Sequence, residues 1–177
     1  LPTWFVIGVM VNYSNKFATG LYGENLIDSG RSVMFAYVGI AIGDLLIGWV
    51  SQYFKSRKKA LLLFYSISIL GMVLFFSAFN SNDSRMYAIC AFLGFSTGYW
   101  AIFNQMAAEQ FGTNMRSTAT TSVPNMVRGT VPIMLIGFDY LKQNNSVIIS
   151  AAVVGLIAFA LGIYATLTIS ETHNRHM

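Results

Sequence analysis

Lys55-Ser56-Arg57-Lys58-Lys59 is the one dense basic cluster in this chain, and it stands between two apolar runs, 32–54 and 59–79. Runs of about 20 apolar residues are long enough to cross a bilayer as helices. A compact basic knot between two such runs marks a loop on the cytoplasmic side. Outward from that loop, the same alternation of apolar run and short polar connection continues along all 177 residues. It predicts an all-α membrane protein with a single domain over 1–177. Six transmembrane helices are expected near 3–23, 32–54, 59–79, 86–107, 117–138 and 146–169. The fifth has a polar first half, Ser117-Thr118-Ala119-Thr120-Thr121-Ser122. It also contains Pro124 and Pro132, which should kink or locally open it.

Composition points the same way. The chain is 55% hydrophobic and 10% charged, whereas a soluble domain carries about 25% charged residues. The net charge of +4 is concentrated in the one loop and lacks interleaved aromatics, so no nucleic-acid partner is expected. In a membrane protein it reads as orientation and contact with anionic headgroups of the bilayer. The single Cys90 lies in an apolar run, no Cys/His spacing suits a metal, and no cofactor is expected. The first residues have neither the basic region nor the cleavage site of a signal peptide. The chain starts at Leu1, almost inside a helix, which raises the expectation that it is half of a longer protein.

Counting Lys and Arg orients the helices. Lys55, Arg57, Lys58, Lys59, Arg116 and Arg175 fall on one side, and Arg31, Arg85 and Lys142 on the other. The richer side is expected to be cytoplasmic, with both termini on it, in a plasma or bacterial inner membrane. Small residues four apart predict close helix contacts at Gly39/Gly43, Gly94/Gly98, Ala151/Gly155 and Ala158/Gly162.

Ionisable groups at membrane depth are expensive and are functional candidates by default. Asp44 falls near the middle of the second helix, and Arg128 near the middle of the fifth. Lys16 lies in the outer half of the first and has a stem long enough to snorkel. Helical spacing extends these into stripes: Thr118, Thr121, Asn125, Arg128 and Pro132; Asn12, Lys16 and Thr19; Ser96, Trp100 and Asn104; Tyr37, Asp44 and Ser51. Polar stripes on four helices suit a bundle around a watery cavity. In that reading Arg128 holds an anionic group of a solute, and Asp44 is a proton- or cation-coupling carboxylate. Lys16, Asn12, Asn125, Trp100 and Asn104 are further binding candidates. The bland alternative is an Asp44–Arg128 ion pair that fixes helix register.

Three local motifs resemble those of the major facilitator superfamily. Gly48-Trp49-Val50-Ser51-Gln52-Tyr53-Phe54-Lys55-Ser56-Arg57-Lys58-Lys59 is similar to the loop between the second and third helices of each half, with Gln52 in place of the usual acid and Lys55 in place of the following glycine. Glu109 and Arg116 resemble the acid–base pair after helix ten of sugar porters and metabolite–proton symporters. Ser170-Glu171-Thr172-His173-Asn174-Arg175 is similar to the ending of the same branches, with Ser170 in place of the common proline. The resemblance implies the C-terminal six-helix half of a twelve-helix secondary active transporter working by alternating access. It also implies that Lys55, Arg57, Lys58, Glu109, Arg116, Glu171 and Arg175 form a cytoplasmic gate network beside Gly48 and Ser51. Such pairs, if exposed, contribute roughly 0–1 kcal/mol each, which suits a latch.

The expected function is transport of a small polar metabolite, anionic or zwitterionic, coupled to protons. Its partners are the solute, the proton, the bilayer and an N-terminal six-helix half or a second copy. A neutral sugar is the first alternative and would rely on Asn104, Gln105, Asn125 and Trp100. A self-sufficient dimeric half-transporter or passive channel is the second. An enzyme is not expected, because no Ser-His-Asp set, metal cluster, phosphate loop or paired carboxylates appear, and His173 and His176 lie together in the terminal stretch.

Overall fold

The computed structural model describes residues 1–22, 27–77, 83–111 and 113–169, and these are helical almost throughout. Helix α1 (Pro2–Phe5) runs into a π-helical stretch, Val6–Val11, and after a turn at Asn12 and Tyr13 the chain continues as α2 (Ser14–Tyr22). Then come α3 (Ser29–Phe54), α4 (Arg57–Ser77), α5 (Asp83–Ser96), α6 (Trp100–Gln110), α7 (Arg116–Arg128), α8 (Val131–Lys142) and α9 (Val147–Thr168). Among the described residues four segments are long and apolar enough to cross a membrane: Ser29–Phe54, Arg57–Ser77, Ser84–Gln110 and Val147–Thr168. This is the pattern of a multi-pass integral membrane protein.

Of the six expected spans, four are long apolar helices among the described residues. The first segment is divided at Asn12–Tyr13 and the fifth at Gly129–Thr130, so neither forms one long apolar helix. The fifth break has a local cause. Pro132 has no N–H to offer the carbonyl four residues back, and its ring crowds that carbonyl. Pro124, by contrast, stays inside α7. The start of the second expected helix moves outward: α3 begins at Ser29, where the Asp28 carboxylate accepts from the Gly30 N–H at 2.9 Å and caps the helix. Ser146 caps α9 in the same way, accepting from the Ile149 N–H.

The tightest packing is where the glycines predicted it. A methyl on Gly39 would stand 2.7 Å from the Phe95 backbone nitrogen, and one on Gly94 2.7 Å from the Ala36 Cα, so α3 and α5 touch backbone to backbone. Gly43 and Gly98 continue the same seam. Gly155 and Gly162 of α9 lie against Phe5 and Pro2 of α1. Phe5, Phe17, Phe64 and Phe75 are fully buried in the core. Outward, Leu45, Trp49 and Tyr53 on α3 and Leu156 and Tyr164 on α9 are exposed. Lipid tolerates such a surface, because each helix satisfies its own backbone.

Candidate functional site

Three chain breaks converge on one place. Asn12 follows the π-helical stretch, Thr97 opens the turn between α5 and α6, and Arg128 ends α7 just before Gly129 and Thr130. Asn12, Thr97 and Arg128 all line a pair of cavities, of about 310 and 160 Å³, that share Trp4, Ile7, Tyr37 and Arg128. At membrane depth, irregular backbone is tolerated where it is buried in protein or lines a watery space. Larger clefts of about 430 to 470 Å³ exist elsewhere, but their walls are almost wholly apolar, with Met72, Phe76 and Leu156 in one and Ile133, Met134 and Ile157 in another. They offer little with which to recognise a polar solute.

Arg128 is exposed, and among the described residues it has no carboxylate partner. Its guanidinium lies over the Trp4 ring, 4.7 Å from the centroid. Trp4 in turn meets Trp100 edge-on at 5.6 Å, and Trp100 stacks on Phe103 at 5.2 Å. The Trp4 indole nitrogen is buried and has no hydrogen-bond partner among the described residues.

Asp44 does not pair with Arg128. Its Oδ1 accepts from the Ala101 N–H at 3.1 Å, with the Trp100 N–H as a second donor. A carboxylate from α3 thereby caps the broken start of α6, where backbone N–H groups and the helix dipole favour an anion. The register-fixing ion pair weighed from sequence is replaced by this cap, one contact away from cavity-lining Trp100.

The remaining candidates divide. Asn12 and Trp100 line the cavities. Lys16 is exposed with its Nζ 4.1 Å from the Tyr13 ring centroid, outside the lining. Asn125 is exposed on α7, and Asn104 is half-buried with its Oδ1 lacking a partner among the described residues; neither belongs to the lining. Trp4, Thr3 and Thr97 line the site without having been singled out from sequence, and Tyr37 had been noted only as part of a stripe.

At the end expected to be cytoplasmic, Arg57 forms an ion pair with Glu109, joining the start of α4 to the end of α6. The side chains are only 13% and 14% exposed, so this is a largely desolvated pair and not the weak surface contact expected. Lys58 donates from Nζ to the Leu167 carbonyl at 3.1 Å, tying α4 to the end of α9. Lys55 closes α3 in the left-handed region at φ 48°. Ser51 is buried, Gly48 has open space around it, and Arg116 is half-buried at the start of α7. Glu171 and Arg175 lie outside the described residues, as do Ser170, His173 and His176.

Set against models of known protein families and against curated proteins, the chain matches none.

Proposed function

We propose that the chain is the C-terminal half of a secondary active transporter of the major facilitator type, moving a small anionic or zwitterionic metabolite by alternating access with proton coupling. The observation that carries this reading is Arg128. It is a cation at a break in an expected span, with no carboxylate partner among the described residues, and it opens on an aromatic-lined cavity. A cation there without a counter-ion is costly unless something else supplies the charge. A solute anion supplies it. Asp44, at the head of α6, is the group through which a proton would act on the same site.

The full unit in this reading has six membrane-crossing segments, three of them broken, with both termini cytoplasmic in a plasma or bacterial inner membrane. The Arg57–Glu109 pair and the Lys58 contact hold its inner end, where the resemblance places the gate. Thr118, Thr121 and Asn125 are exposed beside Arg128 on α7, a polar face unsuited to lipid. A second six-helix unit, from the same longer chain or from a second copy, would cover it. A neutral sugar fits less well, since Asn104, Gln105 and Asn125 stand outside the lining.

The test is uptake into proteoliposomes under an imposed proton gradient. Arg128→Gln should abolish accumulation of an anionic substrate and leave folding intact. Accumulation at the wild-type rate in that variant would remove the basis of the proposal. Native polypeptide length decides the partner: about twice this mass favours one longer chain, and about this mass favours a dimer.

A further inference from the structure

The walls around Arg128 say more about the ligand than its charge. We propose, on the premise that this is the anion site, that the ligand is a planar aromatic monocarboxylate. Its carboxylate would meet Arg128, and its ring would lie among Trp4, Tyr37 and Trp100.

Each part of that description has its own support. Among the described residues Arg128 is the one basic side chain in the lining of either cavity, so one negative charge is balanced there and a second is not. Lys16 is held at Tyr13, outside the lining, and the Asp44 carboxylate is engaged by backbone donors. One face of the guanidinium is covered by Trp4. Stacking of that kind leaves the in-plane N–H fork available, the geometry that suits a carboxylate. A carboxylate is acceptor-only and matches that fork.

The body of the ligand follows from the other walls. The lobe of about 160 Å³ is bounded by Trp4, Tyr37 and Trp100, and Phe103 backs the Trp100 ring. Aromatic walls reward a flat partner that can stack or approach edge-on more than a puckered ring of the same size. A sugar would need mixed donors and acceptors around its ring, and of the described side-chain amides only Asn12 is in the lining. The lobe of about 310 Å³ that holds Asn12 leaves room for ring substituents or water.

Tryptophan emission tests this, because Trp4 and Trp100 bound the site and Trp49 is 70% exposed on α3. Trp49→Phe removes the distant reporter, and the purified protein is titrated in detergent with benzoate, cyclohexanecarboxylate and benzamide. Benzoate should change the emission saturably. Cyclohexanecarboxylate should bind about two- to tenfold more weakly, and benzamide should not saturate. In Trp100→Leu the preference for benzoate over cyclohexanecarboxylate should collapse, which mere loosening of the fold would not do selectively. Equal binding of the two carboxylates overturns the aromatic assignment and leaves the anion site standing. Benzamide binding as tightly as benzoate overturns both. Failure of both carboxylates to bind at concentrations on the order of 10 mM overturns the assignment, and the Arg128→Gln uptake assay then judges the anion site independently.

Discussion

Arg57 and Arg128 are both helix-end arginines, yet their surroundings are opposite. Arg57 is largely desolvated and paired with Glu109. Arg128 is exposed, rests on an indole ring and has no carboxylate partner among the described residues. A largely buried charge must be neutralised within the fold, so the first arrangement is architecture. A charge left open toward a cavity is neutralised by whatever enters, which under the proposed function makes the second a recognition group. The proposed function therefore gives the same side chain different purposes at these two helix ends, and substitutions should separate them.

The largest effect is expected at Glu109. Glu109→Ala leaves the Arg57 guanidinium largely buried without its carboxylate and should cost about 3 kcal/mol or more, read as lowered thermal stability in detergent. Arg57→Met combined with Glu109→Leu should recover most of that loss, because an apolar pair carries no desolvation penalty. If Glu109→Ala costs under about 1 kcal/mol, the range of surface pairs, the contrast between the two arginines is lost.

Arg128→Gln should invert that profile. Thermal stability should stay within about 1 kcal/mol, since the contact surrendered is a single cation–π stack. Affinity for an anionic ligand should fall tenfold or more, on the order of the 1.5–3 kcal/mol carried by a charge-assisted hydrogen bond. The check is paired melting and binding data on one preparation. A variant that melts early and binds normally would make Arg128 architectural too.

The long helices were legible because their charge-poor runs exceed what a soluble core requires, and the α3–α5 seam because Gly39, Gly43, Gly94 and Gly98 repeat at helical spacing. Arg128, Asn12 and Trp100 stood out as polar or amphipathic residues in apolar surroundings. Trp4 did not, since an aromatic in an apolar run looks like packing until its neighbours across the bundle are known. The π-helical stretch Val6–Val11 has a composition that any apolar helix could have. The break at Thr97–Tyr99 was hidden for the same reason. Its one signal was Asp44, an acid at depth that needed donors, and sequence gave no way to choose backbone N–H groups over Arg128.

Asp44 lies between the two arginines in role, structural in its contact and close to the cavity in position. Asp44→Ala removes the acceptor at the start of α6 and should cost about 1 kcal/mol. Asp44→Asn keeps an oxygen that can accept from Ala101 and should cost less, while it cannot take up a proton. If Asp44 couples transport, Asp44→Asn should retain solute exchange and lose proton-driven accumulation, measured in the same proteoliposomes with and without a pH gradient. Equal accumulation in both variants and the wild type would leave Asp44 as a cap alone.

The smallest effect concerns Lys55, where the resembling loop motif has glycine. Its φ of 48° lies in the left-handed region, and its N–H donates to the Gln52 carbonyl at 3.2 Å to end α3. Side chains there crowd the following carbonyl, and glycine avoids this. The lysine is exposed and lies outside the Arg57–Glu109 contact. Lys55→Gly should therefore raise stability by about 0.5–1 kcal/mol without touching the pair next to it. Lys55→Ala retains the Cβ and should show little of that gain, so comparing the two separates backbone relief from loss of charge. A gain confined to Lys55→Gly would mean that this end of the bundle depends on its buried pair and tolerates loss of the exposed cation beside it. An equal gain from Lys55→Ala would instead trace the effect to crowding among Lys55, Arg57, Lys58 and Lys59, and the electrostatics of that end would then extend beyond the Arg57–Glu109 contact.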